Sequence, residues 1–225
     1  MLEVLSPVAI NKSQYRQRLA KSGIKGGWNY VLDHAWLYEH IDIYLRETEI
    51  KLPLILDVGC GNSMFHPFLE KELNAGIIGI DRIDGLCPHP GRTDIMDLCL
   101  DFAEFSKTIK GTVDIIYWLS SIEHNSVEEQ QKSVEDSLTA LKPGGLFLAT
   151  FGYSPQTHWF EPSEQTNLSS TDAEWVYQTQ WKSIPVFEEL VAEYRLDLME
   201  LESRHSKRYG AKDYSFIVAG AELRK

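Results

Sequence analysis

Two segments of the chain each join an apolar run to an aspartate. Residues 54–63 read Leu-Ile-Leu-Asp-Val-Gly-Cys-Gly-Asn-Ser, so Asp57 leads directly into a glycine-rich loop. A second run, residues 77–80, ends in Asp81. If both runs are parallel strands, their carboxylates meet at one edge of a sheet, where a carboxylate accepts from both hydroxyls of a ribose. The chemistry that this spacing predicts is the binding of a nucleotide.

The glycine-rich loop is expected to offer backbone N–H groups to the ligand. Gly59 and Gly61 permit positive φ and let a ligand approach the backbone closely. Ser63 stands at the start of the helix that follows, where its hydroxyl caps exposed N–H groups. Cys60 lies inside the loop and is expected to fill space rather than to react.

Strands and helices alternate along most of the chain, and this alternation would position both aspartates. Apolar runs predict strands over residues 54–57, 77–81, 94–98, 113–119 and 146–151. Helical spacing predicts helices over residues 34–49, 66–73, 102–109, 127–141 and 185–195. The pattern indicates an open α/β sheet. Two final strands, 198–202 and 214–223, follow one another without a helix and predict an antiparallel hairpin at one edge.

The chain is expected to divide near residue 50. Residues 1–50 would form a helical appendage or lid, with a short basic helix over 14–21, and residues 51–225 the ligand-binding domain. Residues 152–183 interrupt the alternation; they are polar but rich in aromatic side chains. We interpret them as a variable insertion on the substrate side, which either stacks on a substrate or covers the sheet.

Composition weighs against several classes of protein. The 225 residues carry a formal charge of −11, which disfavours a nucleic-acid partner because duplex binding draws on a basic surface. No apolar run reaches the about 18 residues of a membrane span, and the N-terminus lacks the pattern of a signal peptide. The three cysteines show neither disulfide nor metal spacing, so a cytoplasmic location is expected.

The segments, taken in order, resemble the motifs of class I S-adenosylmethionine-dependent methyltransferases. The resemblance covers residues 52–223 and includes, besides the two runs above, Asp94-Ile95, residues 114–124 and the turn at 141–146. It departs from the family at Ser63, where the family has a third glycine. It implies a Rossmann-like sheet of seven mostly parallel strands with helices on both faces. It also implies S-adenosylmethionine as the cofactor.

The resemblance implies roles for individual residues. Asp81 takes the ribose hydroxyls, Asp94 (with Asp97 as its competitor) meets the adenine amino group, and Asp57 holds the loop and the methionine amino group. The other residues expected to bind the cofactor are Gly59, Cys60, Gly61, Asn62, Ser63, Arg82, Ile95, Leu119 and Ser120.

Four residues are candidates for catalysis, and no metal is expected. Glu123 and His124 follow the fourth strand on the substrate side, either as a general base or substrate-orienting pair or as hydrogen bonds that order the loop. A Glu-His pair here also resembles the metal-dependent methyltransferases of small-RNA 3′ ends, but those carry a glutamate where this chain has Ser120. Tyr153 and His158 are the next candidates for a base.

The sequence therefore predicts an enzyme that transfers a methyl group from S-adenosylmethionine to a small molecule or glycan intermediate by in-line displacement. One alternative is a non-catalytic binding or regulatory protein that kept the cofactor fold. Another is an RNA methyltransferase, which the acidic charge disfavours. A third, an NAD-dependent oxidoreductase, would need a glycine where Met64 stands. The sequence names neither the acceptor atom nor the oligomeric state.

Overall fold

A computed structural model gives the structure of the chain and describes residues 2–4, 13–24, 28–61, 65–81, 96–99, 101–122, 125, 127–153, 158–159, 180–181 and 217–225. Its helices are α1 (Gln14–Ser22), α2 (Trp28–Thr48), α3 (Phe65–Leu73), α4 (Phe102–Thr108) and α5 (Val127–Ala140). Its strands are β1 (Leu2–Val4), β2 (Leu54–Val58), β3 (Gly76–Asp81), β4 (Met96–Cys99), β5 (Val113–Leu119), β6 (Leu141–Tyr153), β7 (His158–Trp159), β8 (Gln180–Trp181) and β9 (Ile217–Arg224).

The middle of the chain forms the parallel part of a mixed sheet. Over the described residues the strand order is β1-β9-β6-β5-β2-β3-β4, and β7 pairs separately with β8. Strands β4, β3, β2, β5 and β6 are parallel, whereas β9 runs antiparallel to β6 and β1 antiparallel to β9. The predicted α/β class with a mostly parallel sheet is confirmed. Strand β1 was not predicted, and the strand predicted over 198–202 lies outside the described residues, as does the helix predicted over 185–195.

Helices cover both faces of this sheet. Ile115 and Ile116 are neighbours in β5, yet the first joins a core cluster with α1, α2 and α3 and the second joins a cluster with α4 and α5. Every residue of β5 is buried, as expected for a central strand covered on both sides. Helix α2 contributes Leu37 and Ile41 to the first cluster, so it shares a core with the sheet. The predicted division of the chain near residue 50, and the insertion at 152–183, stay predictions.

The turn predicted at residues 142–145 lies inside β6 as an irregularity in the pairing with β5. Leu141 is opposite Val113, and the regular register resumes with Leu146 opposite Ile115. Gly144 in this turn has φ +77°, and its N–H donates to the carbonyl of Lys225 at 3.0 Å. The turn therefore fastens the amino end of the parallel strands to the end of β9.

Candidate active site

The glycine-rich loop is fastened to the end of the neighbouring strand β3. The N–H groups of Gly59 and Cys60 donate to the carbonyl of Ile80 at 2.7 and 3.1 Å. The N–H of Gly61 donates to Asp81 Oδ2 at 3.0 Å. Asp81 is largely buried, because β3 ends beside β2 in the parallel sheet. The carboxylate predicted to bind a ribose therefore lies against the loop predicted to cradle the ligand.

The two loop glycines are needed for different reasons. Gly59 has φ +73°, and a Cβ at this position would lie 2.6 Å from the Cβ of Ser121, in the loop that follows β5. Gly61 has φ +48°, and no described atom lies within 4 Å of where its Cβ would be. The loop is therefore tightly packed at Gly59 and open at Gly61, where a ligand can approach the backbone.

Asp57 is a buried carboxylate beneath this loop. One of its oxygens, Oδ2, is hydrogen-bonded to Nε2 of His66, which comes from the first turn of α3 and is buried as well. The other oxygen, Oδ1, has no hydrogen-bond partner in the part of the chain that the structure describes. A buried acceptor without a donor is costly, so Asp57 Oδ1 is an atom that a ligand's donor would satisfy.

The loop after β5 is fastened from the opposite side by helix α2. Ser120 Oγ donates to Oδ2 of the buried Asp33 at 2.6 Å, and Ser120 N–H donates to the carbonyl of Thr150 at 2.9 Å. Ser120 adopts φ +46°, which is uncommon for a residue with a side chain. Next to it, Ser121 Oγ donates to the carbonyl of Val58 at 2.9 Å. Two loops and the start of α2 thus meet at one place.

His34 follows Asp33 on α2 and is buried against the aromatic ring of Phe65. The centres of the two rings are 4.5 Å apart. Burial lowers the pKa of His34 to about 4, because it penalises the charged imidazolium. His34 is therefore neutral at neutral pH.

A cavity of about 190 Å³ opens between the ends of β2 and β3 and the helices α4 and α5. Its lining includes Gly59, Asp81, Phe102 and Asn125. The wall combines aromatic rings with carboxylate, amide and hydroxyl groups and with the ammonium group of Lys132. Such a mixture suits a ligand that has both a flat ring and several polar groups.

The structure brings together those predicted cofactor residues that it describes. Asp57, Gly59, Cys60, Gly61, Asp81, Leu119 and Ser120 all lie where β2, β3 and β5 end, and we call this region the carboxyl edge. Asn62, Ser63, Arg82, Asp94, Ile95, Glu123 and His124 lie outside the described residues. Tyr153 ends β6 and His158 begins β7, and only their backbone is described.

Two residues of the carboxyl edge were not predicted from the sequence. Asp33 lies four residues before Leu37 and so shares the helical face of the buried Leu37 and Ile41. A charged residue in an apolar stripe was the available signal. His66 was predicted only as a helix start, although it lies three residues before the buried Leu69 and shares its face. At both positions the signal is a polar residue on a helical face that otherwise carries apolar, core-facing residues.

A family model matches the part of the chain that carries this edge. Residues 56–149 match the methyltransferase domain family. The match identifies this part of the chain as a methyltransferase domain. The predicted family, enzyme class and cofactor are thereby confirmed. A search of the curated proteins finds no sequence match.

Solved structures share the fold of this methyltransferase at low sequence identity. A 1,6-didemethyltoxoflavin N1-methyltransferase of Burkholderia thailandensis is 12% identical with a TM-score of 0.57, over 97% of this chain and 88% of that one. The YcgJ protein of Bacillus subtilis is 14% identical with a TM-score of 0.54, over 84% and 99%. The cyclopropane synthase MmaA2 of Mycobacterium tuberculosis is 15% identical with a TM-score of 0.51, over 86% and 74%. These likenesses concern the fold.

The carboxyl edge of the methyltransferase fits its cofactor chemically. S-adenosylmethionine brings an ammonium group, two ribose hydroxyls and an adenine amino group, all of which donate hydrogen bonds. The edge offers Asp57 Oδ1, which has no hydrogen-bond partner among the described residues, the carboxylate of Asp81 and the open backbone at Gly61. In the described part of the chain, no helix is both long and apolar enough to cross a membrane.

Proposed function

We propose that the chain methylates a small molecule, with the cofactor held at the carboxyl edge. The observation that carries the proposal is the position of Asp81. Its carboxylate ends β3, accepts from the N–H of Gly61 at 3.0 Å and lines the cavity beside Phe102. One carboxylate can accept from two vicinal hydroxyls, which is the requirement of a ribose.

Each described residue of the edge has a distinct part in this proposal. Asp81 would orient the ribose, Gly61 would let the backbone approach the methionine part, and Asp57 Oδ1 would accept from the ammonium group. When bound, the cofactor supplies an electrophilic methyl group on a cationic sulfur. The chain's contribution is to fix the direction from which an acceptor meets that methyl group, since alignment supplies much of the acceleration.

The acceptor side of the proposal depends on residues that the sequence singles out. We propose His124 as the base for an acceptor that starts protonated, with Glu123 orienting it and Tyr153 and His158 as the next candidates. A charge of −11 disfavours a nucleic-acid acceptor and supports a small molecule or glycan intermediate. The Burkholderia methyltransferase holds 1,6-didemethyltoxoflavin, a small molecule, together with S-adenosylhomocysteine.

The proposal is tested by calorimetric titration of the wild type with S-adenosylmethionine, S-adenosylhomocysteine and NAD. Asp81→Ala should weaken both sulfur ligands more than roughly 100-fold, because it removes two charge-assisted hydrogen bonds. Asp81→Asn is the matched control. It keeps one acceptor oxygen for Gly61 or one hydroxyl, so a loss of roughly 10-fold is expected.

The three ligands separate the proposal from its rivals. Binding of the sulfur ligands and not of NAD, with the graded loss at Asp81, supports the methyltransferase. Binding of NAD alone would favour the NAD-dependent oxidoreductase over the methyltransferase. A well-folded protein that binds none of them would favour the non-catalytic binding protein. Where the sulfur ligands bind, turnover with small acceptors against turnover with RNA decides between those two substrate classes.

A further inference from the structure

We propose that Asp33 is a positioning residue of the cofactor site, through which helix α2 holds the loop after β5 against the glycine-rich loop. The proposal rests on the proposed function, because it concerns the same carboxyl edge. It goes beyond that function in assigning a part in cofactor binding to the N-terminal segment, which sequence reasoning treated as an appendage.

The first step is the burial of Asp33. Its side chain has 0% exposure and shares a helical face with Leu37 and Ile41 of the core. A buried carboxylate is tolerated only where hydrogen bonds compensate its lost hydration. The Oγ of Ser120 supplies such a bond at 2.6 Å, across from α2 to the end of β5. The helix is therefore fixed to this loop by a short, charge-assisted hydrogen bond.

The second step is the strained backbone of Ser120. Its φ of +46° lies in the left-handed region, which residues other than glycine occupy only when the surroundings impose it. Two contacts impose it here. Ser120 N–H donates to the carbonyl of Thr150 in β6 at 2.9 Å, and Ser120 Oγ donates to Asp33. The loop conformation thus depends on both β6 and α2.

The third step leads from Ser120 to the glycine-rich loop. Ser121 is the next residue, and its Oγ donates to the carbonyl of Val58 at 2.9 Å. Its Cβ occupies the space in which a side chain at Gly59 would otherwise lie, at 2.6 Å from an added Cβ. A shift of Ser120 would therefore disturb the packing of Ser121 against Gly59. The backbone of Gly59 belongs to the glycine-rich loop that we propose holds the cofactor.

The test compares cofactor affinity across four variants by calorimetry with S-adenosylmethionine and S-adenosylhomocysteine. Asp33→Ala and Ser120→Gly should each weaken both ligands roughly 10-fold, the effect of one lost hydrogen bond to a charged group. Asp33→Asn should restore affinity to within about threefold of the wild type, because its amide oxygen still accepts from Ser120. Asp33→Ala combined with Ser120→Gly should be no weaker than either alone, since both remove the same link.

The matched control is Asp42→Asn on the same helix. Asp42 accepts from the hydroxyl of Tyr15 at 2.9 Å and pairs with Arg46, so it fastens α1 rather than the carboxyl edge. This variant should lower the melting temperature and leave both affinities unchanged. Ser120→Gly keeps Asp33 and suits a positive φ, so it reports the link even if Asp33→Ala folds poorly.

Two results would overturn the inference. If Asp33→Ala and Ser120→Gly bind as tightly as the wild type while Asp81→Ala loses binding, Asp33 does not position the site and the proposed function stands. If the wild type itself binds neither sulfur ligand, both proposals fail, because there is then no cofactor site for Asp33 to position. Equal losses in Asp33→Asn and Asp33→Ala would also contradict a role that depends on accepting from Ser120.

Discussion

The carboxyl edge and the amino end of the same parallel strands each contain a buried aspartate, and the two differ in how fully they are paired. At the amino end, Asp114 accepts from the N–H of Leu54 at 2.9 Å and from Nζ of Lys142 at 2.7 Å, one with each oxygen. At the carboxyl edge, Asp57 is bonded to His66 through one oxygen, and the other has no described partner. A carboxylate satisfied by its own chain stabilises the fold, whereas one left half-satisfied is available to a ligand.

The glycines of the two regions make the same distinction. Gly59 and Gly144 have nearly equal positive φ, +73° and +77°. No described atom lies within 4 Å of an added Cβ at Gly144, whereas at Gly59 the side chain of Ser121 is 2.6 Å away. Gly144 serves only the backbone of a turn. Gly59 serves the backbone and also the close packing of two loops.

The largest expected effect comes from Gly59→Ala compared with Gly144→Ala. Both variants place a Cβ at positive φ, which costs about 1 kcal/mol of unfolding free energy. Gly59→Ala must also displace Ser121, so its total cost should be about 3 kcal/mol, and binding of S-adenosylmethionine should be lost.

Denaturant unfolding and calorimetry at a temperature where both variants are folded check this difference. Gly144→Ala should keep the affinity of the wild type. Equal stability losses in the two variants would show that conformational strain alone matters and that the contact with Ser121 does not.

The next effect contrasts Asp57→Asn with Asp114→Asn. Asp57→Asn removes the charge that we propose accepts from the ammonium group of the cofactor, so affinity for S-adenosylmethionine should fall roughly 10-fold, with the unfolding free energy within about 1 kcal/mol of the wild type. Asp114→Asn removes a satisfied ion pair, so the unfolding free energy should fall by about 1–2 kcal/mol with affinity unchanged. The comparison of the two aspartates is wrong if affinity and stability change together in both variants.

The smallest effect is a difference in pH dependence between two histidines of helix α2. Burial lowers the pKa of His34 to about 4. In the unfolded chain this histidine binds a proton near pH 6.5, so folding stability is complete above pH 6.5 and falls as the pH drops toward 4. At pH 5.5 the loss should be about 1 kcal/mol. His34→Asn should flatten the stability curve between pH 6.5 and 4.

Further along α2, His40 is bonded to Glu222 in β9 at 2.6 Å. Burial alone would raise the pKa of Glu222, but the hydrogen bond and charge of His40, with Arg224, lower it to about 2. The stability from this pair is present above pH 4.5 and is lost as the pH falls through about 2. Glu222→Gln should therefore flatten the curve below pH 4.5. Thermal unfolding from pH 2 to 7.5 distinguishes the two ranges, and identical curves for both variants would contradict the assignment.

Much of the parallel sheet was predictable because its signals are local. Strands β2, β3 and β5 are runs of mostly apolar residues. Such a run predicts a strand without any information about the strands beside it. Strand β1 was not predictable. Leu2–Val4 is too short to show a pattern, and it is a strand because β9 offers it an antiparallel edge.

The amino-acid sequence by itself determined the glycine-rich loop, the two aspartates at strand ends and hence the family and its cofactor, because these motifs are contiguous in the chain. Only the tertiary structure decided which distant residues complete the edge. His66 reaches Asp57 through α3, and Asp33 reaches Ser120 across 87 residues of sequence. Such pairs form when helices pack onto the sheet and bury polar side chains, which then need hydrogen-bond partners. The partners are distant in sequence, so no local sequence pattern predicts them.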